Sequence, residues 1–287
     1  MADNMKLCYF TNDESFPFFI QYGCHDEEMF VHGHEDFSEL VIVLDGSAVH
    51  VVENERFEIK KGDVFVMNQG TVHGYEAAQN FRICNIMFRT ETFISENYDI
   101  RQLSGFHALF LLEPKYNSEN GFKSRLRLTP AAFSDIEVLV NNLHEEYLGS
   151  GGGRKTMVRS LFLQLAVRLS RLYGTNVRHK EIEGISKAAA YMESNYMDDI
   201  NMNELLNVSH YSQRHFIRLF SATYSTTPQQ YLLGIKIRHA TLLLREKTFS
   251  ITEIATKCGF NDSNYFCRVF KKYTGMTPSA YRRTTIV

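Results

Sequence analysis

The sequence predicts a multidomain α+β chain. An antiparallel β-barrel and a helical hairpin come first, then an all-α segment with two helix-turn-helix units. Three observations predict it. Short β-branched and aromatic runs fill the first 90 residues at near-regular spacing. From about residue 105 the apolar residues recur at threes and fours instead. Beyond residue 184 one helical pattern occurs twice.

The β runs are 16–22, 39–44, 48–53, 56–59, 63–67 and 82–88, with Asp45-Gly46, Glu53-Asn54 and Lys61-Gly62-Asp63 as turn signals between them. Many short strands suit a small barrel or sandwich. In 131–147, Phe133, Ile136, Val140, Leu143 and Tyr147 form one helical stripe, and Thr129-Pro130 is a helix start. The glycine-rich run 149–153 breaks that helix, because glycine loses the most backbone freedom inside one. A second helix over 156–173 carries Val158, Leu161, Leu165, Leu169 and Leu172. Two readings of this hairpin stand: its apolar faces cover the barrel, or they form a homodimer interface. The polar stretch 174–183 holds the expected linker. Helices are then expected over 185–195, 201–206, 212–224, 229–246, 251–258 and 263–273, with Met276-Thr277-Pro278 opening a last short one.

The repeat is specific. At a shift of 50, Ser212 pairs with Asp262, Phe216 with Phe266, Arg218 with Arg268, Phe220 with Phe270, and Tyr231 with Tyr281. A short helix, a tight turn and a longer helix is the helix-turn-helix plan. The major groove admits one α-helix, so the longer helix of each unit can present its N-terminal side chains to base edges. The helix over 229–246 would hold the two units a set distance apart.

Charge points the same way. The formal net charge of −2 hides 18 basic and 26 acidic residues in 1–183, a net of −8, and 13 basic and 7 acidic residues in 184–287, a net of +6. Only the second part suits a polyanion. No apolar run approaches the roughly 20 residues that span a bilayer, and the N-terminus lacks the layout of a secretory signal. Cys8, Cys24, Cys84, Cys258 and Cys267 are scattered without a CxxC pair, which fits reduced thiols in a cytosol better than disulfides or a zinc finger. With 44% hydrophobic and 22% charged residues the chain is globular rather than disordered.

Residues 251–283, ITEIATKCGFNDSNYFCRVFKKYTGMTPSAYRR, resemble the AraC family of bacterial transcription regulators, and the likeness extends over most of 184–287. The first unit departs from it. Leu206 stands where a small residue is usual, and Ser225 where glycine is usual. The resemblance implies that both recognition helices read DNA. Arg214 and Arg218 in the first, with Asp262 and Asn264 in the second, would contact bases; Gln213, His215, Ser263 and Arg268 are next candidates. The chemistry agrees, since arginine can bond guanine, asparagine adenine and aspartate cytosine. Capping alone would account for Asp262. Lys271, Lys272, Arg282 and Arg283 are expected at phosphates or in solvent. Phe216, Phe220, Phe260, Phe266 and Phe270 are expected in the core.

In the first part, His32 and His34 share a strand face and are followed by Glu39, Gly46, Gly62 and His73. This spacing resembles the two motifs of the cupin barrel over roughly residues 25–90, with departures at Asp26, Asn68 and Ala77. AraC-type regulators commonly use such a barrel to bind an effector. Three readings stay open for His32, His34, Glu39 and His73: polar pocket lining without metal, a divalent metal that helps hold an effector, or metal-dependent catalysis. Tyr75 joins them as an effector-binding candidate, and Tyr22, Phe37, Met67 and Asn85 could line the same interior. Residues 39–51, 62–75 and 262–264 resemble the sugar-responsive branch, including rhamnose-type regulators.

The expected organisation is a cupin-like effector-binding barrel over 1–95, a helical dimerisation region over 96–176, a linker over 177–183 and a DNA-binding domain over 184–287. The expected function is an effector-controlled, sequence-specific transcription regulator. The resemblance tilts it toward an activator, acting as a cytoplasmic homodimer on double-stranded DNA and RNA polymerase, with no membrane partner and no required cofactor. A metal-dependent cupin enzyme, or a metal-responsive regulator, is the alternative.

Overall fold

The computed structural model describes residues 3–25, 29–52, 55–94, 99–114, 125–174, 180–246 and 248–284. The chain forms two compact units: Met1–Ser95 with Gly105–Ile182, and Glu96–Ser104 with Glu183–Val287.

The first unit is built on an eight-stranded sheet: β1 (Asp3–Met5), β2 (Phe18–His25), β3 (Met29–His34), β4 (Ser38–Val52), β5 (Glu55–Lys60), β6 (Asp63–Met67), β7 (Val72–Phe88) and β8 (Leu126–Arg127). Two long strands, β4 and β7, lie side by side and organise it. β2 and β3 share the outer edge of β7, while β6 and β5 share the outer edge of β4. The interior is apolar, with Val41, Val43, Ala48, Val52, Ile59, Phe65, Met67, Tyr75, Phe81 and Ile83 in one cluster.

The turn signal Asp45-Gly46 does not end a strand. β4 runs through it, because the β4–β7 register shifts between Val43 and Val49, and Gly46 takes φ +67°. A bulge there bends the strand rather than terminating it. A Cβ on Gly46 would lie 2.2 Å from the carbonyl oxygens of Gln79 and Asn80. Gly46→Ala should therefore lower stability by about 2–4 kcal/mol, from left-handed strain and backbone overlap together. A thermal melt checks it; a midpoint matching wild type would show that the bulge relaxes.

The hairpin helices are α1 (Pro130–Leu148) and α2 (Arg154–Gly174). Thr129 caps α1 by accepting from the Ala132 amide, and Pro130 occupies its first turn. Phe133, Ile136, Val140 and Leu143 of α1 are buried, as are Val158, Leu165 and Leu169 of α2. Phe162 of α2 lies 5.5 Å from Phe18 of β2 and 4.7 Å from Phe88 of β7, ring centre to ring centre. The hairpin's apolar faces thus cover the sheet. No helix among the described residues is long and apolar enough to cross a membrane.

The second unit holds α3 (Lys180–Ser194), α4 (Met202–Ser209), α5 (Gln213–Tyr224), α6 (Pro228–Arg245), α7 (Ile251–Lys257), α8 (Ser263–Thr274) and α9 (Pro278–Thr284). The expected linker over 177–183 differs from this. Residues 177–179 lie outside the described residues, and 180–183 are already helical, because Ile182 extends the buried spacing of Ile185, Ala189 and Met192. Capping boxes start α4 (Asn201 with Glu204), α6 (Thr227 with Gln230) and α7 (Ser250 with Glu253). α5 ends on Ser225 at φ +55°, where its counterpart α8 ends on Gly275 at φ +77°. The first unit of the repeat carries that left-handed strain without a glycine. Buried Lys236 of α6 donates to the Gly259 carbonyl at 2.8 Å, which ties the long helix to the second turn.

Candidate functional site

The recognition helices α5 and α8 present matching faces. Gln213, Arg214 and Arg218 are exposed, as are Asp262, Asn264 and Arg268; His215 and Ser263 are half-buried. At the repeat's shift of 50, Arg214 matches Asn264 and Arg218 matches Arg268. Arg214 and Arg218 are four residues apart on α5, as Asn264 and Arg268 are on α8, so each helix carries its two residues on one face. Inward, Phe216, Phe220, Phe266 and Phe270 are fully buried. Asp262 caps α8, accepting from the amides of Asn264 at 2.9 Å and Tyr265 at 3.2 Å. Its side chain orders the start of the reading helix; Ser212 makes no such bond at α5.

Arg218 lies 3.3 Å from His215 Nδ1, and the Arg268 guanidinium sits 5.9 Å from the Tyr265 ring centre. Tyr265 was not among the sequence candidates, yet it is 42% exposed and lines a cavity of about 490 Å³ with Asp262 and Arg268. The repeat carried its signal, since Tyr265 matches His215. Lys271, Lys272 and Arg283 are exposed. Arg282 departs from the phosphate reading: it is half-buried and donates to the Phe249 carbonyl at 2.7 Å, just before the second helix-turn-helix begins.

In the first unit the chosen residues converge. The β3–β7 ladder sets His32 opposite His73, His34 follows on the same face, and β4 brings Glu39. All four, with Tyr75, are at most 5% exposed. His73 Nε2 lies 3.2 Å from His34 Nε2. Glu39 Oε2 lies 3.4 Å from His73 Nε2 and 3.6 Å from His34 Nε2. Sequence reasoning missed His50 of β4. It lies across the ladder from Tyr75, fully buried, with Nε2 at 3.2 Å from His73 Nδ1. Its signal was strand alternation: His50 falls between inward-facing Ala48 and Val52. Tyr22, by contrast, points outward, bonding Asn141 of α1 at 2.5 Å. Phe37 stacks on His34, and Met67 lies in the interior cluster.

Burial sets the electrostatics. It raises the Glu39 carboxyl to about 8. Burial, then the neighbouring His32, lowers His34 to about 3. Burial, then Arg125 and His32, lowers His50 to about 3. His73 is lowered by burial and by three neighbouring imidazoles. At neutral pH His34, His50 and His73 are therefore held neutral, and Glu39 is mostly protonated.

These shifts predict the pH dependence of the chelator-treated protein. Glu39, raised from 4.5 to about 8, favours the fold at low pH and loses that contribution as pH rises through 8. The histidines, lowered from 6.5, favour the fold above that value and lose their contribution as pH falls. The melting midpoint should peak near pH 6.5 and fall on both sides, with three histidines outweighing one carboxyl below it. A midpoint that keeps rising down to pH 5 would contradict this.

The residues fit a metal ion. His32, His34 and His73 each offer a nitrogen within 4.8 Å of the others, and Glu39 Oε2 is buried with no hydrogen-bond partner. A separate cavity of about 500 Å³ in this unit is lined by Ser47, Ala48, Glu58, Ile59, Gln79, Arg125 and Arg127, and by none of the predicted effector residues. Buried Asp63 holds both arginines there, at 3.1 Å from Arg125 and 2.5 Å from Arg127.

Comparison with known proteins divides the chain in the same way. Residues 15–130 match the family described as AraC-like ligand binding domain, and residues 205–284 match a helix-turn-helix domain. The chain is 25% identical over 286 residues to the HTH-type transcriptional activator RhaR of Mannheimia succiniciproducens, covering 98% of both. It is 29% identical over 268 residues to RhaR of Yersinia pestis, covering 91% of this chain and 88% of that one. A solved AraC-type regulator from Chromobacterium violaceum is 25% identical over 36% of this chain and 92% of its own, with a TM-score of 0.35.

Proposed function

The chain belongs to the AraC family of transcription regulators, and from that premise we propose that it is an activator whose hold on DNA is set by a small molecule bound in the barrel. One observation carries the reading. Two helices in helix-turn-helix units expose Arg214 with Arg218, and Asn264 with Arg268, at repeat-matched positions. Two such heads joined by one long helix suit successive stretches of major groove. The assignment makes the chain a regulator rather than a metal-dependent enzyme.

The effector class we favour is a sugar. Its support is the resemblance of 39–51 and 62–75 to sugar-responsive members, together with relatives named RhaR. The protein would work in the cytoplasm as a homodimer and recruit RNA polymerase; a dimer doubles the reading heads and suits a repeated operator. Selection of bound sequences from a random DNA pool, followed by a mobility shift at two salt concentrations, tests the reading. Specific, salt-sensitive binding supports it, and binding indifferent to sequence overturns it. Thermal-shift screening of the full chain with sugars tests the effector class.

A further inference from the structure

We propose that the cavity beside β8 binds a small oxyanion of the sugar class, a sugar acid or a sugar phosphate, with Arg125 and Arg127 holding its anionic group. This site is separate from the histidine cluster. Its use as the effector pocket rests on the regulator reading above; the binding itself does not.

Charge carries the first half. Arg125 and Arg127 are two apart on extended chain, so they share one side while Leu126 between them is buried. Both reach one carboxylate, the fully buried Asp63. A carboxylate has about four lone-pair sites, and those of Asp63 are taken. It accepts from Arg127 Nε and Nη2 at 2.5 and 2.6 Å and from the Lys60 amide at 2.9 Å, with Arg125 Nε at 3.1 Å. The bidentate Arg127 pair is enough to pin β8 to β6. Arg125 adds a positive charge that Asp63 cannot also neutralise. Around the cavity Lys60, Arg125 and Arg127 stand against Glu58 and Asp63, which leaves a surplus cation. A guanidinium has five N–H donors. Among the described residues, Arg125 uses two, on Asp63 and on the Glu58 carbonyl at 2.8 Å, and Arg127 uses two on Asp63. The others remain beside the cavity, where a planar oxyanion can take them in pairs.

The cavity carries the second half. Its volume of about 500 Å³ is that of a small-molecule pocket. A polyanion such as DNA would be repelled by the excess of acidic over basic residues in 1–183. The same walls carry Ser47 and Gln79, which suit hydroxyl groups, and Ala48 and Ile59, which suit the C–H face of a sugar ring. The backbone is bent here: the β4–β7 register shifts on both sides of Ser47, and Ala77 at the cavity wall takes φ +50°, a left-handed conformation that disfavours alanine. Bulges and strained backbone of this kind gather at ligand sites. β8 also leads directly into the hairpin, since Thr129, the cap of α1, lies two residues beyond Arg127. An anion on the two arginines therefore acts on the strand that starts α1.

The experiment is titration calorimetry on the full chain. The probes are glucuronate, galacturonate, glucose 6-phosphate and mannose 6-phosphate, set against glucose, galactose, mannose, rhamnose and inorganic phosphate. An anionic sugar should bind at least about tenfold more tightly than the neutral sugars, and more weakly as salt rises. Binding of a uronate identifies a sugar acid, and binding of a hexose phosphate a sugar phosphate. Arg125→Gln leaves the Arg127–Asp63 pair in place. It should weaken the binding roughly 10- to 100-fold, as loss of a charged hydrogen bond does, with a thermal melt close to wild type. Should Arg125→Gln fail to fold, Lys60→Glu takes its place: it reverses an exposed charge at the rim and keeps the Lys60 amide on Asp63. The site is overturned if none of the anionic sugars binds, if a neutral sugar binds as tightly as its anion, or if inorganic phosphate matches the hexose phosphates. A folded variant with wild-type affinity overturns it as well. The mobility shift runs in parallel. Specific DNA binding without anion binding rejects only this site, and anion binding without specific DNA binding rejects only the regulator reading.

Discussion

Phe266→Ala should unfold the second reading head and abolish specific DNA binding while the first unit still melts as in wild type. Phe266 is fully buried in α8. Its ring centre lies 5.1 Å from that of Phe260 and 5.6 Å from that of Phe270. Ala240, Leu244, Ile254 and Val269 complete the same core. Removing a phenylalanine from such a site costs about 3–5 kcal/mol in lost transfer energy and cavity. A whole domain has only about 5–15 kcal/mol to lose. The helix it anchors also carries Asn264 and Arg268 on its outer face, so loss of packing and loss of reading should coincide. The chain has no tryptophan, so circular dichroism melts are the readout, alongside a mobility shift. Melting and DNA binding both unchanged would show that the head does not depend on this core. Phe216, its counterpart in the first head, should behave alike.

Arg214→Ala and Asn264→Ala should each cost about 1–3 kcal/mol of DNA binding, concentrated at particular base pairs. Both side chains are exposed in the first turn of their helices, where a helix in the major groove meets base edges. They lie on separate helices of separate helix-turn-helix units, so the double variant should lose close to the sum. Lys271→Ala sets the contrast. A phosphate contact weakens all sequences alike and lowers the salt slope by about one unit. Binding to operator variants at several salt concentrations separates the two. If Arg214→Ala weakens every sequence equally, it is a phosphate contact, and base reading by the first head passes to Arg218, with Gln213 and His215 next.

The second unit was the more readable half of the sequence. Its helices are stabilised by contacts three and four residues apart and by caps three residues apart, and both are visible in a linear chain. The repeat then did what no single motif could. It matched candidates on one helix to positions on the other, although Tyr265, the match of His215, was passed over until the structure showed it exposed beside Arg268. Arg282 was misread because its partner, the Phe249 carbonyl, is 33 residues away.

The first unit was less readable, because strand partners are set by distant pairing. Asp45-Gly46 is a turn signal by composition and became a bulge inside one 15-residue strand once β7 lay beside it. Tyr22 alternates correctly for a strand, yet a helix more than 100 residues later drew it outward. His50 carried no motif and joined the histidine cluster only when β4 and β7 paired. By itself the sequence determined two domain types, the helices, the repeated reading faces and the set His32, His34, Glu39 and His73, since each rests on local periodicity or fixed spacing. Only the tertiary structure decided the path of β4, the covering of the sheet by the hairpin and the place of His50, because these depend on which distant segments exclude water together.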